Sequence, residues 1–329
     1  MQKAEYIPQP AKTTARLLSG NLFHNLEFHV NDPSQTGTSP QNWKLTLAYD
    51  GTDYKGWQIQ PGEATIQAEL QAALGRVLGE LPLPQGSGRT DAGVHALGQV
   101  ASFELAAAIP PENLQHAVNR TLPGAIRVVD ARVVPAAFHA RHSAIAKTYE
   151  YRIFRERICP PTLARFAHAC PWPMDLEVLK KAARMFEGEH DFLSFAATDP
   201  DLATRNLQSA SQDPPAEPFF PKRQGAIRTI YSSHWSSRAT AEGEFLIYQV
   251  RGNGFLHHMV RNLVGTMLDV GRGHMHLDSI PEILAAHSRA AAGPTAPARG
   301  LFLHSVDYGE PNQQPPAPIK TENSAGKGL

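Results

Sequence analysis

Residues 43–51, WKLTLAYDG, set Leu45, Leu47 and Tyr49 in alternation with smaller or polar positions, the pattern of a half-buried strand. The period then changes. In TIQAELQAALGRVLG, Ile66, Leu70, Ala73, Leu74, Val77 and Leu78 fall on one helical face, and Thr65 stands where an N-cap is expected. A glycine-rich loop follows, and GQVASFEL reads as the next strand. The second half repeats this order. KTYEYRIFR alternates Tyr149, Tyr151 and Ile153, and Asp175 precedes LEVLKKAARMFEG, whose Leu176, Leu179, Ala183 and Phe186 share a face that ends before Gly188. IRTIYSSHWSS and EFLIYQVRG supply two further strands.

A strand, a helix and further strands, given twice, predict an α+β fold of two ferredoxin-like lobes sharing a sheet. The expected boundaries are 43–135 for the first lobe and 136–309 for the second. Residues 1–42 and 310–329 are Pro-, Ser- and Gln-rich without periodicity, so they are expected to be a weakly ordered extension and a tail. Residues 199–225 are of the same kind and predict a long surface insertion within the second lobe.

The composition, 42% hydrophobic and 19% charged, is that of an ordinary soluble protein. No apolar run is long enough for a membrane span, and the N-terminus lacks the apolar core of a signal peptide. The two cysteines, Cys159 and Cys170, are too few for a disulfide framework, which makes a cytoplasmic protein the default expectation. Net charge is zero, yet nine Lys/Arg lie between Arg120 and Arg165 against Asp130, Glu150 and Glu156. Such a local excess suits a polyanion as well as it suits a solvated surface.

Chemistry concentrates in few places. GSGRTDAGVHALGQVASF (86–103) presents Asp91 alone, with Arg89 two residues before it; Gly86, Gly88 and Gly93 would let backbone approach a ligand closely. By itself, Thr-Asp-Ala-Gly is also an ordinary Asx turn. GFLHHMVRNLVGTMLDVG predicts a helix that puts Leu256, Met259, Val260, Leu263, Val264, Met267 and Leu268 on one face. His257, His258, Arg261, Asn262 and Gly265 lie opposite, a polar seam facing a site or a second lobe. Adjacent histidines on a helix point apart, and no HExxH or paired CxxC spacing occurs, so no metal is expected. Tyr149 and Tyr151, on a strand inside the basic stretch, could pack in the core or stack a nucleobase.

Taken together, YDGTDYKGWQIQ (49–60), GRTDAGVHALGQVASF (88–103), FHARHSAIAKTYEYRI (138–153), GEHDFLSF (188–195), FLHHMVRNLVG (255–265) and ARGLFLHSVDY (298–308) resemble the TruA-type tRNA pseudouridine synthases, in the family's order. The resemblance implies a mixed, mostly antiparallel sheet built from two ferredoxin-like (RRM-like) halves flanked by helices. It implies an isomerase that converts uridine to pseudouridine at positions 38, 39 and 40 of the tRNA anticodon stem-loop, with no cofactor. Asp91 then corresponds to the nucleophile, Tyr149 to the tyrosine that stacks on the target base and takes part in proton transfer, and Arg261 to the arginine that pairs with the nucleophile. Arg89, His139, Arg141, His257 and His258 become candidate RNA contacts. A homodimer holding tRNA across both subunits follows by the same analogy. Attack at C1′, attack at C6 and a glycal intermediate all remain open.

Two rival classes bound this reading. A non-catalytic RNA-binding module could use the strand tyrosines for stacking. A nucleoside or glycoside hydrolase would ordinarily need a second carboxylate facing the first across the bond. Within the favoured chemistry, another RNA position is the nearest alternative. The extension, the tail and the 199–225 insertion lie outside the motifs, and the near-neutral pI of about 7.3 predicts modest, salt-sensitive affinity for tRNA.

Overall fold

A computed structural model describes residues 40–106, 109–197 and 225–309. All ten strands among them belong to one sheet. Its main path runs β4 (Ile126–Val134), β1 (Gln41–Tyr49), β3 (His95–Leu105), β10 (Leu301–Asp307), β5 (Ala146–Phe154), β9 (Gly243–Gly252), β8 (Ile227–Thr240) and β7 (Gly188–Asp191). Two short strands lie off it: β2 (Gln85–Gly86) pairs with β3, and β6 (His168–Ala169) with β5. Every pairing is antiparallel except β3 with β10 and β5 with β6. The mixed, mostly antiparallel α+β expectation therefore holds.

The alternation seen in the sequence becomes burial. Leu45, Leu47 and Tyr49 of β1, and Tyr149, Tyr151 and Ile153 of β5, are core residues. β1 starts at Gln41, ahead of the expected boundary at 43, and buries Asn42, whose amide donates to the carbonyls of Pro135 and Phe138. The last strand joins the two halves. β10 lies between β3 and β5, with Phe302 opposite His95 in parallel register and Leu303 opposite Tyr149 in antiparallel register.

The helices are α1 (Ile66–Leu78), α2 (Pro111–Thr121), the single turn α3 (Pro161–Ala164), α4 (Leu176–Arg184), α5 (Met259–Gly271) and α6 (Ser279–Ala286). The Asp175 cap on α4 forms as expected, its carboxylate accepting from the amides of Glu177 and Val178. Thr65 sits at the head of α1 but makes no capping bond. The first amides of that helix, Ile66 and Gln67, donate instead to the carbonyls of Gly56 and Trp57, so a neighbouring loop satisfies them. The expected insertion at 199–225 falls, apart from Gly225, outside the described residues, as do most of the extension and the tail. Among the described residues no helix is long and apolar enough to cross a membrane.

Candidate active site

The segment carrying Asp91 is irregular backbone between β2 and β3, and it is held from three sides. The loop after β1 lies directly against it: the Trp57 amide donates to the Thr90 carbonyl, and the Gly93 amide to the Tyr54 carbonyl. At Gly56 (φ 90°) a Cβ would stand 2.4 Å from the Thr90 carbonyl oxygen, so only glycine lets the two loops touch. From beneath, the Tyr49 hydroxyl of β1 bonds the Thr90 hydroxyl at 2.8 Å. Gln99 of β3 accepts from the Ser87 hydroxyl and donates to the Gly88 carbonyl. From β5, the Lys147 ammonium donates to the Ser87 carbonyl at 2.7 Å.

Gly86 and Gly88 also have protein neighbours. A Cβ at Gly86 would lie 2.6 Å from the Trp57 ring, and one at Gly88 would lie 2.7 Å from Lys147 Nζ. These glycines admit two protein side chains while also lining the cleft that contains Asp91.

Asp91 lines a cleft of about 690 Å³ together with Arg89, Lys147, Tyr149, Phe255 and His258, among others. One-fifth of its side chain is exposed. Three groups converge on the carboxylate: Arg261 Nη1 at 3.3 Å from Oδ2, His258 Nε2 at 3.3 Å from Oδ2, and His257 Nε2 at 3.4 Å from Oδ1. Tight charge-assisted pairs are nearer 2.7–2.9 Å, so this carboxylate is surrounded by nitrogens and not clamped. Arg261 is itself fixed, since its Nε donates to the Ala296 carbonyl at 2.7 Å while its own carbonyl accepts from the Ala296 amide. Tyr149, on the central strand β5, meets Phe255 edge to face at 5.0 Å and is only 8% exposed. Burial pushes its phenol well above the ordinary tyrosine range, and the Asp91 carboxylate adds to that push. Burial also brings the Lys147 ammonium down to about 8, with Arg141 and Arg228 contributing.

A model of a family described as tRNA pseudouridine synthase matches residues 46–143 and 182–309, a span that includes Asp91, His257, His258 and Arg261. The chain belongs to the tRNA pseudouridine synthase family. Proteins named tRNA pseudouridine synthase A from Solibacter usitatus, Moorella thermoacetica and Bacillus pumilus are 46%, 42% and 40% identical to it. Each alignment covers 80% of this chain and 98% of the relative. The family is one of isomerases that act on uridine in tRNA.

All eight residues singled out in the synthase sequence line this one cleft or, in the case of Arg261, contact the carboxylate within it. The two histidines arrive there by a route the periodicity did not predict. α5 begins only at Met259, and His258 adopts a left-handed backbone (φ 59°). This break brings the two rings together, 4.0 Å between centroids and 33° between planes, where an unbroken helix would have spread them apart. The argument that separated them as metal donors therefore fails: their ring nitrogens and the Asp91 carboxylate lie within 4.8 Å of one another. A cation placed among them would share Oδ2 with the Arg261 guanidinium, a repulsive neighbour, and we assign none there.

Asn262 and Gly265 of the same helix are buried, as a seam against a neighbouring segment requires; the Asn262 amide donates to the Phe195 carbonyl and accepts from Arg289 and Thr295. His139 has a local task, its Nδ1 accepting from the Arg141 amide. Of the basic stretch from Arg120 to Arg165, only Arg141 and Lys147 line the cleft. Arg132, Arg152 and Arg165 are paired with Asp130, Glu150 and the Asp50–Asp53 pair. Sequence reasoning passed over Trp57, Lys147 and Phe255. The signal for Trp57 was a tryptophan inside the loop YDGTDYKGWQIQ, and for Lys147 its place two residues before Tyr149 on the same strand.

Proposed function

We propose that this enzyme isomerises uridine to pseudouridine at positions 38, 39 and 40 of the tRNA anticodon stem-loop, with Asp91 as nucleophile and without a cofactor. The observation that carries this reading is the approach of Arg261, from a helix 170 residues further along the chain, to a partly exposed Asp91 carboxylate in a cleft floored by Tyr149. Among the described residues that line the cleft, Asp91 is the only carboxylate. A glycosidase would need a partner about 5–9.5 Å away. Isomerisation returns every atom to the product, so one nucleophilic carboxylate suffices.

The target base is stacked in a stem and must leave it, at a cost of about a few kcal/mol. The Tyr149 ring provides a surface for the extruded base. Arg89 fills space near the vacated position, and Lys55, Arg141 and Lys147 offer cations to the backbone, offsetting part of that cost. We place the enzyme in the cytoplasm as a homodimer holding one tRNA across both subunits.

The test is to incubate the protein with unmodified tRNA transcripts and map pseudouridine by carbodiimide adduct and primer extension, with Asp91→Asn alongside. Stops at 38–40 in wild type, absent in the variant while tRNA affinity stays within about threefold, are expected. Stops at other positions would move the substrate; no stops with tRNA still bound would sink the catalytic reading.

A further inference from the structure

Uridine and pseudouridine differ by one exchanged bond and one moved proton. The N1–C1′ bond breaks, the C5–C1′ bond forms, C5 gives up its hydrogen as a proton, and N1 receives one. Something at the site must take and return that proton. A carboxylate released from the reacting carbon is by nature a weaker base than an imidazole, and Tyr149 holds its own proton firmly because its phenol is buried beside a carboxylate.

Resting on the reading above, we infer that His258 is the proton carrier of the isomerisation, its Nε2 taking the proton from C5 and returning it to N1. Three observations support this role. His258 Nε2 lies 3.3 Å from Asp91 Oδ2, so a base turning beside the sugar carbon that Asp91 holds stands within its reach. Its left-handed backbone, uncommon for a residue with a side chain, turns the ring toward the carboxylate and out of the helical path. The conformation is fixed on the helix side, where the Asn262 amide donates to the His258 carbonyl and the Met259 amide to the Leu256 carbonyl.

The charges around the ring suit the timing. Burial lowers the proton affinity of His258, and His257, Arg261 and Arg289 lower it further, while the Asp91 carboxylate alone raises it; the net direction is below the ordinary histidine value. On the route through C1′, Asp91 is an ester while the base turns, its charge is gone, and His258 is left neutral. When C5 attacks C1′ and expels the carboxylate, the negative charge returns beside His258 at the moment C5 must lose its proton. The imidazolium then gives that proton to N1, and the enzyme ends as it began.

The experiment uses His258→Gly and His258→Asn, two residues that accept the left-handed backbone, with tRNA transcribed from uridine carrying deuterium at C5 and with chelator present. Single-turnover isomerisation is expected to slow on the order of 100-fold, with tRNA affinity within threefold of wild type. C5 deuterium should then produce a primary isotope effect larger than in wild type. Added imidazole should restore the rate of His258→Gly, and across substituted imidazoles the restored rate should rise with imidazole basicity. A wild-type protein that forms no pseudouridine overturns this inference together with the proposed function. A wild type that forms it, with His258→Gly unmoved by imidazole or both variants insensitive to C5 deuterium, overturns the inference alone.

Discussion

Arg261 performs two tasks with one side chain, and only a guanidinium can reach both. Its Nε is committed to the Ala296 carbonyl while Nη1 faces Asp91. A lysine offers a single nitrogen and would have to abandon one of them. Arg261→Lys is therefore expected to lower kcat at least tenfold with little change in KM for tRNA, read by steady-state kinetics. Lys147 allows a pH prediction with a defined sign. Its amine is held down to about 8 by burial, then by Arg141 and Arg228, against an ordinary 10.5. The ammonium is thus present below pH 8 and lost above it, and any phosphate contact it makes goes with it. Filter binding from pH 7 to 9.5 should show tRNA affinity falling through pH 8 in wild type, while Lys147→Met should be weaker at pH 7 and flat across the range. Folding responds in the opposite sense: between about 8 and 10.5 the unfolded chain holds the extra proton, so this lysine makes the native state more stable as pH rises there.

At the scale of elements, local chemistry was legible wherever a residue's neighbours in sequence were also its partners in space. Asp175 caps α4 through amides two and three residues away, and the strand alternations of Leu45, Leu47 and Tyr49 needed only a buried face. Asp175→Ala is expected to cost about 1 kcal/mol and to lower Tm by about 2–4 °C, with activity per folded molecule unchanged; a thermal melt beside an activity assay checks both. The reading failed where long-range partners decided the outcome. Thr65 has the right side chain for a cap, but Gly56 and Trp57 satisfy the helix first. His257 and His258 extend a helical period that the backbone does not follow, because a single left-handed residue is invisible to periodicity. That Trp57 and Lys147 pack against Gly86 and Gly88 was likewise hidden, because these partners are distant in sequence. Asp91, Tyr149 and Arg261 were legible as a set only through motif resemblance, since no local rule joins residues so far apart.

At the scale of the molecule, the cleft combines charge from both halves of the chain: Lys55 and Arg89 come from the first, Arg141 and Lys147 from the start of the second. Affinity for a polyanion should therefore fall steeply with salt. Removing Arg141, which is exposed and lines the cleft, should reduce the slope of log affinity against log salt by about one contact, a change of roughly 0.7–0.9; an Arg141→Ala titration at several salt concentrations reads it directly. The sheet itself carries a consequence for how the enzyme comes into being. Among the described strands β10 is the last to be translated, yet it occupies the middle of the sheet, with the Asp91 half on one side and the Arg261 half on the other. Synthesis proceeds at about 5–20 residues per second, so a chain paused before residue 301 has both halves of its catalytic apparatus and no strand to register them. Ribosome-bound fragments that stop short of β10 are thus inert toward the tRNAs crowding the same ribosome, and catalytic competence arrives only once that strand has emerged.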